Sequence, residues 1–260
     1  MSMRTRSLTE ITTLLASADE TGLAELRDCL SGDTRTGVQR AIDRAGRRIE
    51  AEAAERQRLR ALAARECALL DAGAIIVAGV DEVGRGALAG PVTACACVFE
   101  RDAEIPGLND SKKLSPLART RLDAEVRRVA CDVSVAHVDS GSIDAVGIAE
   151  ATRRAMLQAL VGLDTPPDHV LVDGLPVRLG FPTTAVVAGD ATVRAISAAS
   201  IVAKVARDLL MMDLDERYPG YGLASNKGYG SAEHLEAIRA HGPSPVHRLS
   251  FAPCSADTLF

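Results

Sequence analysis

The chain has 260 residues, with 30 Lys and Arg against 35 Asp and Glu for a net charge of −5, a balance that argues against a nonspecific nucleic-acid coat but allows an enzyme whose acids hold metal ions. No apolar run reaches the roughly 18 residues of a membrane span and the Arg-containing start lacks a secretory apolar segment, so a cytoplasmic protein with no membrane partner is expected. Six cysteines without a C-x-x-C pair argue against a zinc knuckle or dithiol redox motif.

Residues 1–72 carry 12 Arg and 12 acids, whereas residues 73–260 carry 18 basic and 23 acidic residues. Stretches 8–15 and 23–30 read as short helices, and 36–70 as one long helix rich in Arg, Glu and Ala. Residues 1–72 are therefore predicted to be a helical N-terminal extension. Its long helix reads as a solvated surface laced with i,i+4 pairs in preference to a nucleic-acid-binding face.

After Gly73 the pattern changes. Strands are predicted at 75–82 and 92–100, an amphipathic helix at 116–130, a strand at 132–138 and a helix at 142–163. Short strands follow at 169–173 and 184–187, then a long helix of small residues at 193–217 and a shorter one at 232–241. This order describes an α/β fold, a mixed sheet flanked by helices, over residues 73–260. With no Trp in the chain, the core falls mainly to Ala, Val, Leu and Ile, and Cys95 and Cys97 are expected to pack inside it from one strand face.

The most informative segment is Ala78-Gly79-Val80-Asp81-Glu82-Val83-Gly84-Arg85-Gly86, continuing to Gly90-Pro91. A strand should not continue through such glycine density, so Asp81 and Glu82 are expected where the strand stops and opens toward solvent. Asp173 ends the strand before Gly174, and Asp190 follows the next strand. Acids at strand ends project into the crevice where α/β sheets bind ligands, although Asp before Gly is also an ordinary turn residue and Asp190 also suits a helix cap. Asp208, inside the long helix, is expected to pair with Arg207 or another neighbour, or to be solvated. Two adjacent acids plus two at strand ends supply the hard oxygen donors that Mg²⁺ or Mn²⁺ prefer. The only lysines are Lys112, Lys113, Lys204 and Lys227, against 26 Arg, and a Lys in such a chain marks a place suited to a compact ammonium.

Several segments together resemble bacterial ribonuclease HII. They are 79–91, Gly-Leu-Asn-Asp-Ser-Lys-Lys-Leu at 107–114, Val-Asp-Gly at 172–174 and Ala-Ala-Ser-Ile-Val-Ala-Lys-Val at 198–205. Tyr-Pro-Gly-Tyr-Gly at 218–222, Lys-Gly-Tyr-Gly at 227–230 and Gly-Pro-Ser-Pro-Val-His-Arg at 242–248 complete the ordered set. The extension at 1–72 is similar to the helical extension of some bacterial members. The chain departs from the pattern at Ala87, where Pro is usual, and at Asn226, where His is common. Neither change removes a carboxylate.

The resemblance implies a ribonuclease H-like fold and cleavage of RNA in RNA/DNA hybrids, including single ribonucleotides embedded in DNA, leaving 3′-hydroxyl and 5′-phosphate ends. It implies that Asp81, Glu82, Asp173 and Asp190 hold Mg²⁺ or Mn²⁺. Two such ions would activate an in-line water and stabilise the leaving oxygen. It also implies that Gly84, Arg85 and Gly86, with Tyr229 or else Tyr221, read the 2′-hydroxyl that separates RNA from DNA. Asn109, Ser111, Lys112 and Lys113 are expected phosphate contacts, and Lys204 a substrate contact or a support of the metal site. No histidine forms a general acid and base pair, and His247 alone is a candidate to line the cleft. The final Leu-Phe suggests docking to a replication sliding clamp, with a frayed terminus the plainer expectation. A monomer is expected. Two competing functions are a phosphotransferase acting without ribose and a binding module with a dead site; the glycine-arginine-glycine and tyrosine elements oppose the first, and four intact acids the second.

Overall fold

A computed structural model describes residues 6–255, and the clamp contact read on 256–260 lies outside the described residues. The chain forms two compact units, Met1–Arg60 and Ala61–Phe260.

In the first unit, α1 (Leu8–Ser17) starts at a capping box. Glu10 N–H donates to the Ser7 hydroxyl at 3.3 Å, and Ser7 N–H donates to the Glu10 carboxylate at 2.7 Å. Asp19 caps α2 (Glu20–Cys29), and α3 (Thr36–Asp71) follows. Ile11, Leu15, Leu23, Leu30, Val38 and Ile42 bury one apolar stripe each from these helices. Half-exposed i,i+3 and i,i+4 ion pairs, Arg58–Glu55 and Arg48–Glu52, lie along α3. The last turns of α3 belong to the second unit. There Glu66 receives the guanidinium of Arg194 at 2.6 Å and the Ala195 amide at 2.8 Å, although the sequence pattern had placed the boundary after this helix.

The second unit contains β1 (Val77–Val83), β2 (Val92–Val98), α4 (Pro116–Val129), β3 (Asp132–Val138), α5 (Ser140–Val146) and α6 (Ile148–Val161). Then come β4 (His169–Asp173), β5 (Thr183–Val186), α7 (Gly189–Thr192), α8 (Arg194–Arg217), α9 (Leu223–Asn226) and α10 (Ala232–His241). The single helix expected at 142–163 is two helices, because Gly147 takes φ +80°, which ends α5 and starts α6 in a new direction. The strand order is β3-β2-β1-β4-β5, antiparallel from β3 to β1 and parallel from β1 to β5.

Alternation along the strands assigns the two faces of this sheet. Ala78, Val80, Ala94, Ala96, Val170 and Val172 pack toward α6 residues Ala155, Met156 and Ala159. Val77 and Leu171 face α8 at Ile196. Gly79 lies on that same face, and a Cβ there would come within 2.4 Å of the Ala195 carbonyl carbon, so its bare backbone is what lets α8 lie against β1. The run of Ala195, Ser197, Ala198, Ala199 and Ser200 keeps α8 thin where it crosses the sheet. Cys95 and Cys97 are fully buried with their sulfurs 3.7 Å apart.

Candidate active site

The parallel register builds the site. Val77 to Val80 pair with His169 to Val172, so the next residues on the two strands, Asp81 and Asp173, emerge side by side on the face that carries α8. The strand does not stop at the acids as expected: β1 continues through Val83, because Asp81, Glu82 and Val83 still pair with Cys95, Ala94 and Thr93 of β2. Only the β4 side opens. Asp81 is therefore buried rather than solvent-facing, while Glu82 emerges on the opposite face of the same strand.

Asp81, Glu82 and Asp173 line one pocket with Val83, Ser111, Lys112, Arg119, Ser200, Lys204 and Tyr229. Burial pushes the Asp81 carboxyl well above the usual carboxylate range, and the like charges of Glu82 and Asp173 push it further, against a hydrogen bond from Ser200. Glu82 is also raised, by burial first and by Asp173, with Arg85 opposing. Asp173 Oδ1 accepts the Gly189 amide at 2.7 Å and the Asp190 amide at 3.3 Å, which ties the end of β4 to the start of α7. That bond brings Asp190 to the edge of the site, buried within α7 rather than capping a helix.

Two of the four acids are held by cations. Lys112 donates to Asp190 at 2.8 Å, which raises the ammonium's pKa, and Arg85 donates to Glu82 at 3.2 Å. Among the described residues no three His, Cys, Asp or Glu side chains form a ready-made ion cage. The donor set nevertheless fits a hard divalent cation. It is all carboxylate oxygen, and Asp81 and Glu82 pay a desolvation and repulsion cost that a nearby positive ion would reverse. Lys112 and Arg85 are exposed enough to swing aside, at 79% and 58% of their side-chain surface.

The remaining predicted contacts divide. Lys204 lines the pocket and donates to Asp208 at 2.7 Å; Arg119 lies 3.8 Å from the same carboxylate. Asp208 thus pairs with Lys204 and not with Arg207. Ser111 lines the pocket and is buried, its hydroxyl 3.0 Å from that of Ser200, so it also braces a residue that touches Asp81. Asn109 and Lys113 are exposed but do not line the pocket, and Asn109 accepts the Asp110 amide. Of the two tyrosines, Tyr229 lines it, whereas Tyr221 is buried and donates to the Gly242 carbonyl. His247 is also buried, against His234, and does not line the cleft.

The glycine-arginine-glycine turn rests on two buried arginines that sequence reasoning missed. Arg248 donates to the carbonyls of Gly84 at 2.7 Å, Arg85 at 2.8 Å and Gly90 at 2.9 Å. Arg207 donates to Pro91, Ala89 and Lys227 carbonyls, and its guanidinium lies 5.5 Å from the Tyr229 ring centroid. Gly84 has φ +89° and a Cβ there would meet Arg207 Nε at 2.2 Å, so this glycine serves the turn's inside. Gly86 has open space where a Cβ would be and is the one left free for close approach from outside. Two positive charges beneath the turn make its surface attractive to phosphate. The signal for Arg248 was its place in the 242–248 motif, and Ser200 lay within the 198–205 motif, whereas Arg207 and Arg119 read as ordinary helix residues.

Residues 78–254 match the family description "Ribonuclease HII", and residues 7–69 match "Ribonuclease HII N-terminal domain". The chain is similar to the ribonuclease HII of Bacillus anthracis, with 44% identity over 221 residues covering 85% of this chain and 86% of that protein. Among solved structures, the ribonuclease H2 of Pyrococcus horikoshii OT3 is 28% identical with a TM-score of 0.58, over 69% of this chain and 95% of that one. The ribonuclease HII in a PCNA complex from Archaeoglobus fulgidus is 25% identical with a TM-score of 0.58, over 68% and 95%.

Proposed function

Since the chain belongs to the ribonuclease HII family and is a metal-dependent ribonuclease, we propose that it cuts on the 5′ side of single ribonucleotides embedded in duplex DNA as well as within RNA/DNA hybrids. The reading is carried by one observation: Asp81, Glu82 and Asp173 share a pocket with Tyr229 and two lysines, beside the turn at Gly84, Arg85 and Gly86.

Asp81, Glu82, Asp173 and Asp190 are the residues to hold two divalent ions, Mg²⁺ or Mn²⁺. Such ions, when bound, supply charge for the phosphoryl oxygens and lower the pKa of water. The chain's own residues do the rest. Ser200, fixed by Ser111, orients the Asp81 carboxylate. Lys112, Lys204 and Arg119 offer cations to the phosphates that flank the scissile bond. Once Arg85 leaves Glu82, its guanidinium can meet a phosphate. The open backbone at Gly86 approaches the ribose 2′-hydroxyl, while the Tyr229 ring stacks on the adjacent sugar. Water oxygen bonds to phosphorus as the bond to O3′ breaks, and a proton given up by water ends on O3′, leaving a 5′-phosphate and a 3′-hydroxyl.

The test is cleavage of a DNA duplex containing one ribonucleotide, with Mg²⁺, Mn²⁺ or chelator, by the wild type and Asp81→Asn. Metal-dependent cutting 5′ of the ribonucleotide, lost in the variant and with chelator, is expected. An intact duplex beside efficient cutting of long hybrids would refute the junction reading. A monomer in the cytoplasm suffices for this role; among the described residues no helix is long and apolar enough to cross a membrane. A sliding clamp is proposed as a partner of residues 256–260, supported by the A. fulgidus relative's complex with PCNA, and clamp binding unchanged on deleting those residues would end that idea.

A further inference from the structure

Tyr229 presents its ring to the pocket while its backbone is held from the buried side by two histidines that the reaction does not use. The Tyr229 carbonyl lies 2.9 Å from His234 Nδ1, His234 Nε2 lies 3.0 Å from His247 Nε2, and His247 Nδ1 lies 3.0 Å from the Ser244 amide nitrogen. Both rings are almost wholly buried, with Tyr221 packed against His247 at 4.7 Å between centroids.

The chemistry at the two ends fixes every proton in this chain. A carbonyl can only accept, so His234 Nδ1 carries the hydrogen and donates it to Tyr229. A backbone amide can only donate, so His247 Nδ1 is bare, and the Ser244 hydroxyl, 2.8 Å from the same nitrogen, then donates to it as well. The contact between the rings is then satisfied in one way, by His247 Nε2–H donating to His234 Nε2. Both rings are neutral, each tautomer is set by the end it faces, and every ring nitrogen has a partner. An apolar pair would fill the space without the desolvation cost of two imidazoles, so their presence calls for a positional role.

We propose that Ser244, His247 and His234 form a one-way hydrogen-bond relay that positions Tyr229 to read the sugar, which makes the two histidines specificity-positioning residues of this enzyme. The proposal rests on the reading of Tyr229 given above. The opposite face of the same segment is held in register by neighbouring bonds: Leu88 N–H donates to the Gly228 carbonyl at 2.7 Å, and Arg207 donates to the Lys227 carbonyl at 2.8 Å. The relay completes this clamp at Tyr229 itself.

The experiment compares His234→Asn with His234→Gln, because an Asn amide sits where Nδ1 does and a Gln amide where Nε2 does. The readout is the ratio of kcat/KM on a duplex with one ribonucleotide to kcat/KM on a long hybrid, with thermal midpoints recorded alongside. His234→Asn retains the donor to Tyr229 and should hold the ratio within about threefold, whereas His234→Gln loses that donor and should lower it about tenfold. In a Tyr229→Ala background, His234→Gln should cause no further fall. Equal losses in Asn and Gln variants, or a Gln loss that persists in full without the tyrosine ring, would overturn the relay and leave a packing role. If His234→Gln does not fold, His234→Leu removes the same donor to Tyr229 with the same expected loss, and an unchanged ratio there overturns the proposal as well; His247→Asn cuts the same ring-to-ring link as His234→Asn and should match its smaller change. Tyr229→Ala alone separates the two readings: an unchanged ratio in that variant removes the tyrosine from recognition and the relay with it, while a lowered ratio beside silent histidine variants removes the relay alone.

Discussion

Replacing Arg248 by Lys keeps a positive charge and removes a fork, and the structure shows what the fork does. Arg248 is fully buried and makes four N–H···O contacts of 2.7 to 3.0 Å with the carbonyls of Gly84, Arg85 and Gly90. A lysine ammonium is a single point and cannot reach all three oxygens from one position. The Gly84 carbonyl also accepts the Ala87 amide at 3.3 Å, so the loss falls mainly on Arg85 and Gly90. One or two orphaned carbonyls at about 1–3 kcal/mol each give an expected destabilisation of about 1–6 kcal/mol. Urea unfolding of wild type and Arg248→Lys measures it directly. Because the orphaned carbonyls belong to the turn that approaches the ribose, cleavage of the single-ribonucleotide duplex should fall more than cleavage of long hybrids. A variant within about 0.5 kcal/mol of wild type, with an unchanged substrate ratio, would refute the view that this buried guanidinium holds the turn.

Gly79→Ala should act at a distance. The new Cβ would sit 2.4 Å from the Ala195 carbonyl carbon, forcing α8 off the sheet at a cost of about 1–3 kcal/mol and moving Ser200 and Lys204 away from Asp81; unchanged stability and activity would contradict it. Glu66→Ala leaves Arg194 buried without its carboxylate, and unfolding should show a loss of about 3–5 kcal/mol. His247 is held down to about 4 from 6.5, by burial first and then by the neighbouring His234. Above pH 6.5 both folded and unfolded states are neutral at this ring and nothing changes; as pH falls toward 4 the unfolded state takes a proton the folded state refuses, so stability is lost by up to about 3 kcal/mol. Unfolding at pH 7 and 4.5 should show the wild type losing about 2–3 kcal/mol more than His247→Gln, and parallel pH profiles would count against a neutral buried ring.

Residues whose chemistry conflicts with their surroundings were legible in the sequence. Asp81, Glu82 and Asp173 interrupt apolar strands beside glycines, and a carboxylate in such a place has few roles other than a turn or a ligand site. The strand and helix periodicities around them placed most elements, with Asp132–Val138, His169–Asp173 and Ala232–His241 matching their predicted ranges. Tyr229 was separable from Tyr221 only by its motif, and Asn109 and Lys113, though exposed, do not line the pocket that Lys112 of the same motif lines. What the tertiary structure alone decided was which polar groups are buried and what they face. Asp81 and Asp173 are 92 positions apart in the chain and become neighbours through the parallel register of β1 and β4. Arg207, Arg248, His234 and His247 look like surface residues in a chain with 26 Arg and 5 His, because nothing local distinguishes a solvated guanidinium or imidazole from one satisfied by distant carbonyls. Local sequence sets backbone preference and hydrophobic period over a few residues, whereas most carbonyls that make the buried Arg207 and Arg248 tolerable come from segments more than a hundred residues away, and the histidine chain, though its links span only 3 to 13 residues, joins a loop, a helix and a turn that only the closed fold brings within hydrogen-bond reach.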